Sequence, residues 1–132
     1  MKLIIFTDGG ARGNPGPAAA GIVIKNDKGA VVEAFGKYLG ETTNNQAEYR
    51  ALLLALEKAT EIGGTEIVCY ADSELMVKQL NREYKVRDKG LAPLFLSIWN
   101  LSVKFKKISY HHIRREKNTE ADKLVNETLD RQ

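Results

Sequence analysis

Along the chain the apolar positions change period several times, and each change marks an element. Leu3 to Phe6 is apolar on both faces, with Leu3, Ile5 and Thr7 on one side and Ile4 and Phe6 on the other. That pattern predicts a strand covered on both sides, at the centre of a sheet. It is too short to cross a membrane, and Asp8-Gly9-Gly10 follows at once. Ala11 to Pro17 is too rich in glycine and proline for regular structure and predicts a shaped loop. Strands at Ala20–Lys25 and Ala30–Tyr38 are joined by Asn26–Gly29, which reads as a hairpin turn, so the first three strands form an antiparallel meander.

A helical period begins after Thr43, which stands at capping-box spacing from Gln46, and continues to Ile62, where Gly63-Gly64 ends it. Thr65–Ala71 reads as a fourth strand, with Asp72 at its end and Ser73 as N-cap of a short helix through Leu80. Pro93 opens a helix over Leu94–Val103 that carries the single tryptophan, Trp99. A fifth strand is expected from Phe105 to Ile113. The last helix, capped by Asn118, shows Ala121, Leu124, Val125, Thr128 and Leu129 on one face.

Strand, long helix, strand is the order that gives a right-handed crossover, so the fourth strand is expected parallel to the first. Asp8 and Asp72 then finish neighbouring strands at one edge, where open α/β sheets build their sites. Glu48 lies three, four and seven residues before Ala51, Leu52 and Ala55, so it shares their core-facing stripe. Alone, it reads as a boundary residue reaching solvent. Asp122, in the first turn of the last helix, is favoured there by the helix dipole in any case. Four carboxylates converging on one edge would repel one another without a counter-charge. An all-oxygen set suits Mg²⁺ or Mn²⁺ rather than zinc, and a pair of such ions about 3.5–4 Å apart serves in-line phosphodiester cleavage.

Bulk properties narrow the picture only a little. A chain of 132 residues, 43% hydrophobic and 28% charged, is expected to form one domain over residues 1–132. A net charge of +3 permits nucleic-acid binding without demanding it. Lys104, Lys106, Lys107, Arg114, Arg115 and Lys117 crowd the fifth strand and its exit, a placement that equally protects a sheet edge. Cys69 sits in an apolar run and reads as a small buried hydrophobe. With no leader or long apolar span, the expected location is cytoplasmic. The glycines match neither dinucleotide nor P-loop fingerprints.

The motifs resemble those of type 1 ribonuclease H, in the family's order and over nearly the whole chain. They are Thr7-Asp-Gly-Gly10 with Gly13-Asn-Pro-Gly-Pro17, Thr42-Thr-Asn-Asn-Gln-Ala-Glu48, Ala71-Asp-Ser73, and Asn118 through Ala121-Asp122. The resemblance implies a five-stranded mixed sheet flanked by helices on both faces, and cleavage of the RNA strand of RNA–DNA hybrids. Products would carry 5′-phosphate and 3′-hydroxyl ends. It implies a tetrad of Asp8, Glu48, Asp72 and Asp122 holding two Mg²⁺ ions, with Mn²⁺ able to substitute. Asp8 would bridge both ions, Asp122 would serve the ion that activates water, and Glu48 and Asp72 the ion at the leaving oxygen. Asn14, Asn44 and Asn45 match minor-groove contacts, Thr43 matches a DNA-phosphate contact, and Ser73 is a further substrate contact. Gly9-Gly10 would let the nucleic-acid backbone approach the metals.

The chain also departs from well-known bacterial members. Leu80 to Leu91 is too short for their basic helix, leaving Lys85, Arg87 and Lys89 with Tyr84, which either stacks on a DNA sugar or covers the core. Glu41 stands where some members place an arginine, and Glu74 where several carry an amide facing the groove. His112 has the spacing of the family's product-release histidine. It also fits the fifth strand, and the second alignment, in which Arg115-Glu116 take the loop position, is preferred. Double-stranded RNA stays open as a substrate. Two rival readings are weaker: a proofreading-type exonuclease needs Asp-x-Glu where this chain has Asp8-Gly9-Gly10, and an inactive hybrid-binding module has no need of all four acids.

Overall fold

A computed structural model describes residues 1–132. Five strands form one sheet: β1 (Lys2–Ala11), β2 (Gly16–Asn26), β3 (Val31–Thr42), β4 (Glu66–Ala71) and β5 (Lys107–His112). Their spatial order is β3-β2-β1-β4-β5, with β1, β2 and β3 antiparallel in sequence and β4 and β5 parallel to β1. The meander and the parallel crossover are therefore as the pattern predicts. Four helices complete the chain: α1 (Asn44–Glu61), α2 (Glu74–Leu80), α3 (Ala92–Ser102) and α4 (Thr119–Asp130). None is long and apolar enough to cross a membrane.

The main core lies between one sheet face and α1, where Leu3, Ile5, Ile22, Ile24 and Ile67 meet Leu52, Ala55, Leu56 and Ala59, with α2 and α3 at its margin. On the other face Val125 and Leu129 of α4 cover Ala19. β1 is thus fully buried on the α1 side, through Leu3, Ile5 and Thr7, but only half-buried through Ile4 and Phe6. Phe6 stacks on Tyr70 of β4 at 5.2 Å and lies under Lys25, so side chains rather than a helix shield that half of the sheet.

Element boundaries differ from the expectation where a pairing partner decides them. β2 begins at Gly16 and β3 runs to Thr42, because Gly16 to Ala18 pair with Thr42 to Gly40 across a bulge at Ala18/Ala19. β5 is shorter than expected. It pairs with β4 only from Lys107 to His112, and Val103 to Phe105 finish the turn after α3. Thr43 caps α1 as its spacing requires, with Oγ1 accepting from the Gln46 N–H at 3.1 Å. The Gln46 side chain turns to the Thr42 hydroxyl, so only half of the capping box forms.

α4 sits unusually close to the sheet. A Cβ on Gly21 of β2 would stand 2.2 Å from the Ala121 carbonyl oxygen. Backbone meets backbone there, with no flexible side chain to yield. We expect Gly21→Ala to destabilise the fold by about 1–3 kcal/mol, the usual range for forced overpacking, measured by urea unfolding. A change under about 0.5 kcal/mol, normal for uninvolved positions, would show that α4 shifts freely.

Candidate active site

Three of the four acids are brought together by backbone features. Parallel pairing of β1 with β4 ends at Thr7↔Ala71, so Asp8 and Asp72 are the next residue on each strand. Asp8 does not terminate β1, however, which continues against β2 to Ala11. Glu48 is buried at 7% exposure in the second turn of α1, not reaching solvent, and the Gly9 N–H donates to its Oε1 at 2.5 Å. A Cβ on Gly9 would lie 2.3 Å from the Ala47 carbonyl group. Gly9 is required so that α1 can close on β1, a role beyond the backbone access expected of it. Gly9 and Gly10 both line the cavity, and at Gly10 the Cβ position is an ordinary 3.7 Å from Val125.

Asp122 arrives by a different device. Asn118 occupies the N-cap position of α4 but makes no side-chain cap; its amide donates to the Thr7 carbonyl at 2.8 Å instead. This ties the first turn of α4 to β1 beside Asp8. All four acids line one cavity of about 590 Å³. One oxygen each from Asp8, Glu48 and Asp72 lies within 4.8 Å of the others.

Such crowding shows in the protonation. Burial first, then the charges of Asp72 and Asp122, push the Asp8 carboxyl up to about 8, while Arg115 opposes the rise. Glu48 is also raised, by burial and then by Asp8 and Asp72, partly offset by the Gly9 N–H. Asp72 Oδ2 is buried and accepts no hydrogen bond. A buried, unpaired carboxylate oxygen in an all-oxygen cluster fits a hard divalent cation, whose charge would relieve the repulsion that protons relieve in its absence.

The remaining predicted residues divide. Asn44, Asn45 and Ser73 line the same cavity. Asn44 and Asn14 lock the loop after β1 to the start of α1: the Asn44 N–H donates to Asn14 Oδ1 at 3.0 Å, and the Ala11 N–H to Asn44 Oδ1 at 2.8 Å. Ser73 also caps α2 through Met76 N–H. Thr43 is engaged as the cap of α1. Tyr84 is 51% exposed, so it does not cover the core, and Lys78 lies 5.0 Å from its ring. The Glu74 carboxylate pairs with Lys78 at 2.9 Å. His112 is the last residue of β5, opposite Ala71, and lies outside the cavity, whereas Arg115 lines it. Two further lining residues, Arg12 and Asn126, gave no signal in the pattern. Asn126 is four residues after Asp122 and donates to its carbonyl oxygen at 3.2 Å, a helical spacing that would have pointed to it.

A mixed sheet of this order, with acids where the pairing of β1 with β4 ends, defines a domain of the ribonuclease H class. The family profile described as reverse transcriptase-like matches residues 6–128. Ribonuclease HI of Halobacterium salinarum is 42% identical over 129 residues, covering 98% of this chain and 65% of that protein. The bifunctional protein Rv2228c of Mycobacterium tuberculosis is 40% identical over 131 residues, and the chain spans only 36% of its length. Among solved structures, RNase H1 from Halobacterium salinarum superposes with a TM-score of 0.97 at 39% identity over 100% of both chains. LC11-RNase H1 in complex with RNA/DNA hybrid gives 0.93 at 45% identity, over 98% of this chain and 97% of that one. The chain belongs to the ribonuclease HI family.

Asp8 carries a pH signature. With its carboxyl raised in the fold to about 8, the native state keeps a proton that the unfolded chain has already lost. The associated stability is full below the unfolded carboxyl range and is lost as pH rises through about 8. In the presence of a chelator, the melting temperature should therefore fall between pH 6 and pH 9, and less steeply for Asp8→Asn. Identical slopes for parent and variant would refute this.

Proposed function

We propose that this protein, as one domain over residues 1–132, is an endonuclease that hydrolyses the RNA strand of RNA–DNA hybrids, leaving 5′-phosphate and 3′-hydroxyl ends. The observation that carries this reading is the convergence of Asp8, Glu48, Asp72 and Asp122 on one cavity where the pairing of β1 with β4 ends. These four would hold two Mg²⁺ ions, which Mn²⁺ can replace. When bound, such ions supply Lewis acidity and charge neutralisation at a phosphodiester.

The chain's own residues supply position and recognition. Gly9 N–H and the α1 packing hold Glu48 against β1, and the Asn118 bond to Thr7 holds α4 and Asp122. Asn44 and Asn45 line the cavity, with Asn14 bonded to the Asn44 backbone behind them, and the three serve as amide contacts toward a ribose 2′-hydroxyl, the group that distinguishes RNA from DNA. Arg115, rather than His112, is the cation facing the carboxylates. The link Asn81 to Gly90 contains no helix, so contact with the hybrid beyond the cavity falls to Tyr84, Lys85, Arg87 and Lys89. The ribonuclease HI relatives, and the one crystallised with a hybrid, support this substrate class.

The test is cleavage of a labelled RNA–DNA hybrid with and without Mg²⁺, with double-stranded RNA and DNA alongside, comparing the parent with Asp8→Asn. The parent should cut only the RNA strand and only with metal. Binding without cleavage at every Mg²⁺ and Mn²⁺ concentration would overturn the reading. Glu48→Gln should lower cleavage by more than about 100-fold, beyond the loss typical of residues that merely support a metal site. Its metal-free melting temperature should be unchanged or higher, since one buried negative charge is gone while the acceptor for Gly9 N–H is kept. A large fall in melting temperature would make Glu48 a structural residue.

A further inference from the structure

Arg12 lines the same cavity as the four carboxylates, yet its guanidinium is turned onto the last turn of α4. There Nη2 meets Asp130 Oδ1 at 2.6 Å and approaches the Asn126 carbonyl at 3.5 Å. Asp130 is an acid at the negative end of a helix whose last turn holds no basic residue, a position that favours cations. The pair is exposed on both sides, 49% and 66%, and exposed pairs contribute little to stability. As a structural latch it is weak.

The backbone beneath it is the opposite. Arg12 N–H donates to the Pro17 carbonyl at 2.8 Å, and a Cβ on Gly16 would lie 2.2 Å from the Arg12 carbonyl oxygen. Asn14 and Asn44 brace the same loop against α1. A rigid backbone thus presents a long, weakly held cation at the rim of a cavity that the proposed function fills with a phosphodiester strand. A guanidinium pairs bidentately with phosphate and gains more from it than from a single exposed carboxylate oxygen.

Resting on the ribonuclease H reading, we infer that Arg12 binds a backbone phosphate of the strand being cut, and that Asp130 competes with the substrate for it. In the free protein Asp130 holds the guanidinium along α4. On binding, a phosphate near the cleaved one displaces the carboxylate. Arg12 is then a substrate-binding residue, and Asp130 a residue that acts through it.

Hybrid binding measured with a chelator over a salt series, and KM and kcat measured with Mg²⁺, separate this from a structural pair. Arg12→Ala should weaken binding, raise KM with kcat nearly unchanged, and make binding less salt-dependent. One phosphate contact fewer means that the affinity ratio of parent to Arg12→Ala falls about threefold between 50 and 200 mM salt. Asp130→Asn should tighten binding in the parent and have no effect in the Arg12→Ala background. Equal weakening by both single variants, with the salt slope unchanged and a shared fall in melting temperature, would show a structural latch and overturn the inference. An unchanged slope for Arg12→Ala in a parent that cleaves hybrids overturns the inference alone. A parent that does not cleave them overturns the ribonuclease H reading and the inference with it.

Discussion

Mutual repulsion among buried carboxylates is the constraint around which this molecule is built. Asp8, Glu48 and Asp72 each place an oxygen within 4.8 Å of the others, in surroundings that make charge costly. Without a bound cation the relief available is small: the Gly9 N–H on Glu48, the Arg115 charge near Asp8, and protonation itself. A cluster held against such a force has to be carried by parts of the fold that cannot give way. Three of its four members are fixed through backbone contacts. Register places Asp8 beside Asp72, and the close contact of Gly9 with Ala47 places Glu48.

α4 is the exception, because it crosses the opposite face of the sheet and is also tied to β1 and the following loop by side chains at its ends. Its first turn hangs from β1 by Asn118 and Thr7. Its last turn meets the loop that follows β1 through Arg12 and Asp130. Between those ends, Gly21 and Gly36 let the helix lie directly on strand backbone. The two ties differ in kind. The first is buried and neutral and sets where Asp122 stands, while the second is exposed and ionic. Only the second can be exchanged for another partner at little cost, which is why a substrate-responsive role falls there.

What could be read from the chain and what could not follows the distance between partners. Glu48 was visible because it breaks an apolar stripe within one helix, and Asp8 with Asp72 because crossover handedness dictates where parallel strands end. Asn118 was correctly placed at a helix start, but its amide bonds to Thr7, 111 residues away, and no local pattern announces that. The packing role of Gly9 is hidden in the sequence because the neighbour that requires it, the Ala47 backbone, belongs to another element. Arg12 left no mark in the periodicity, since its partner is 118 residues further on. Strand ends erred for the same reason: β5 stops where β4 does, whatever its own residues prefer.

The braced loop also constrains recognition. At Asn14 and Asn44 the side-chain oxygen must face a backbone N–H, because an amide turned the other way would set donor against donor. Their amino groups take no part in these bonds, while each side-chain oxygen keeps one further lone pair. In the proposed reading a ribose 2′-hydroxyl accepts from these amino groups. Base edges in a minor groove also offer acceptors, which means that Asn14 and Asn44 alone do not separate RNA from DNA. In that reading selectivity comes from placement. The same loop that fixes these donors is bonded to the start of α1, which carries Glu48, so a strand can satisfy amides and carboxylates together only where a 2′-oxygen lies at the right distance from the phosphate being cut.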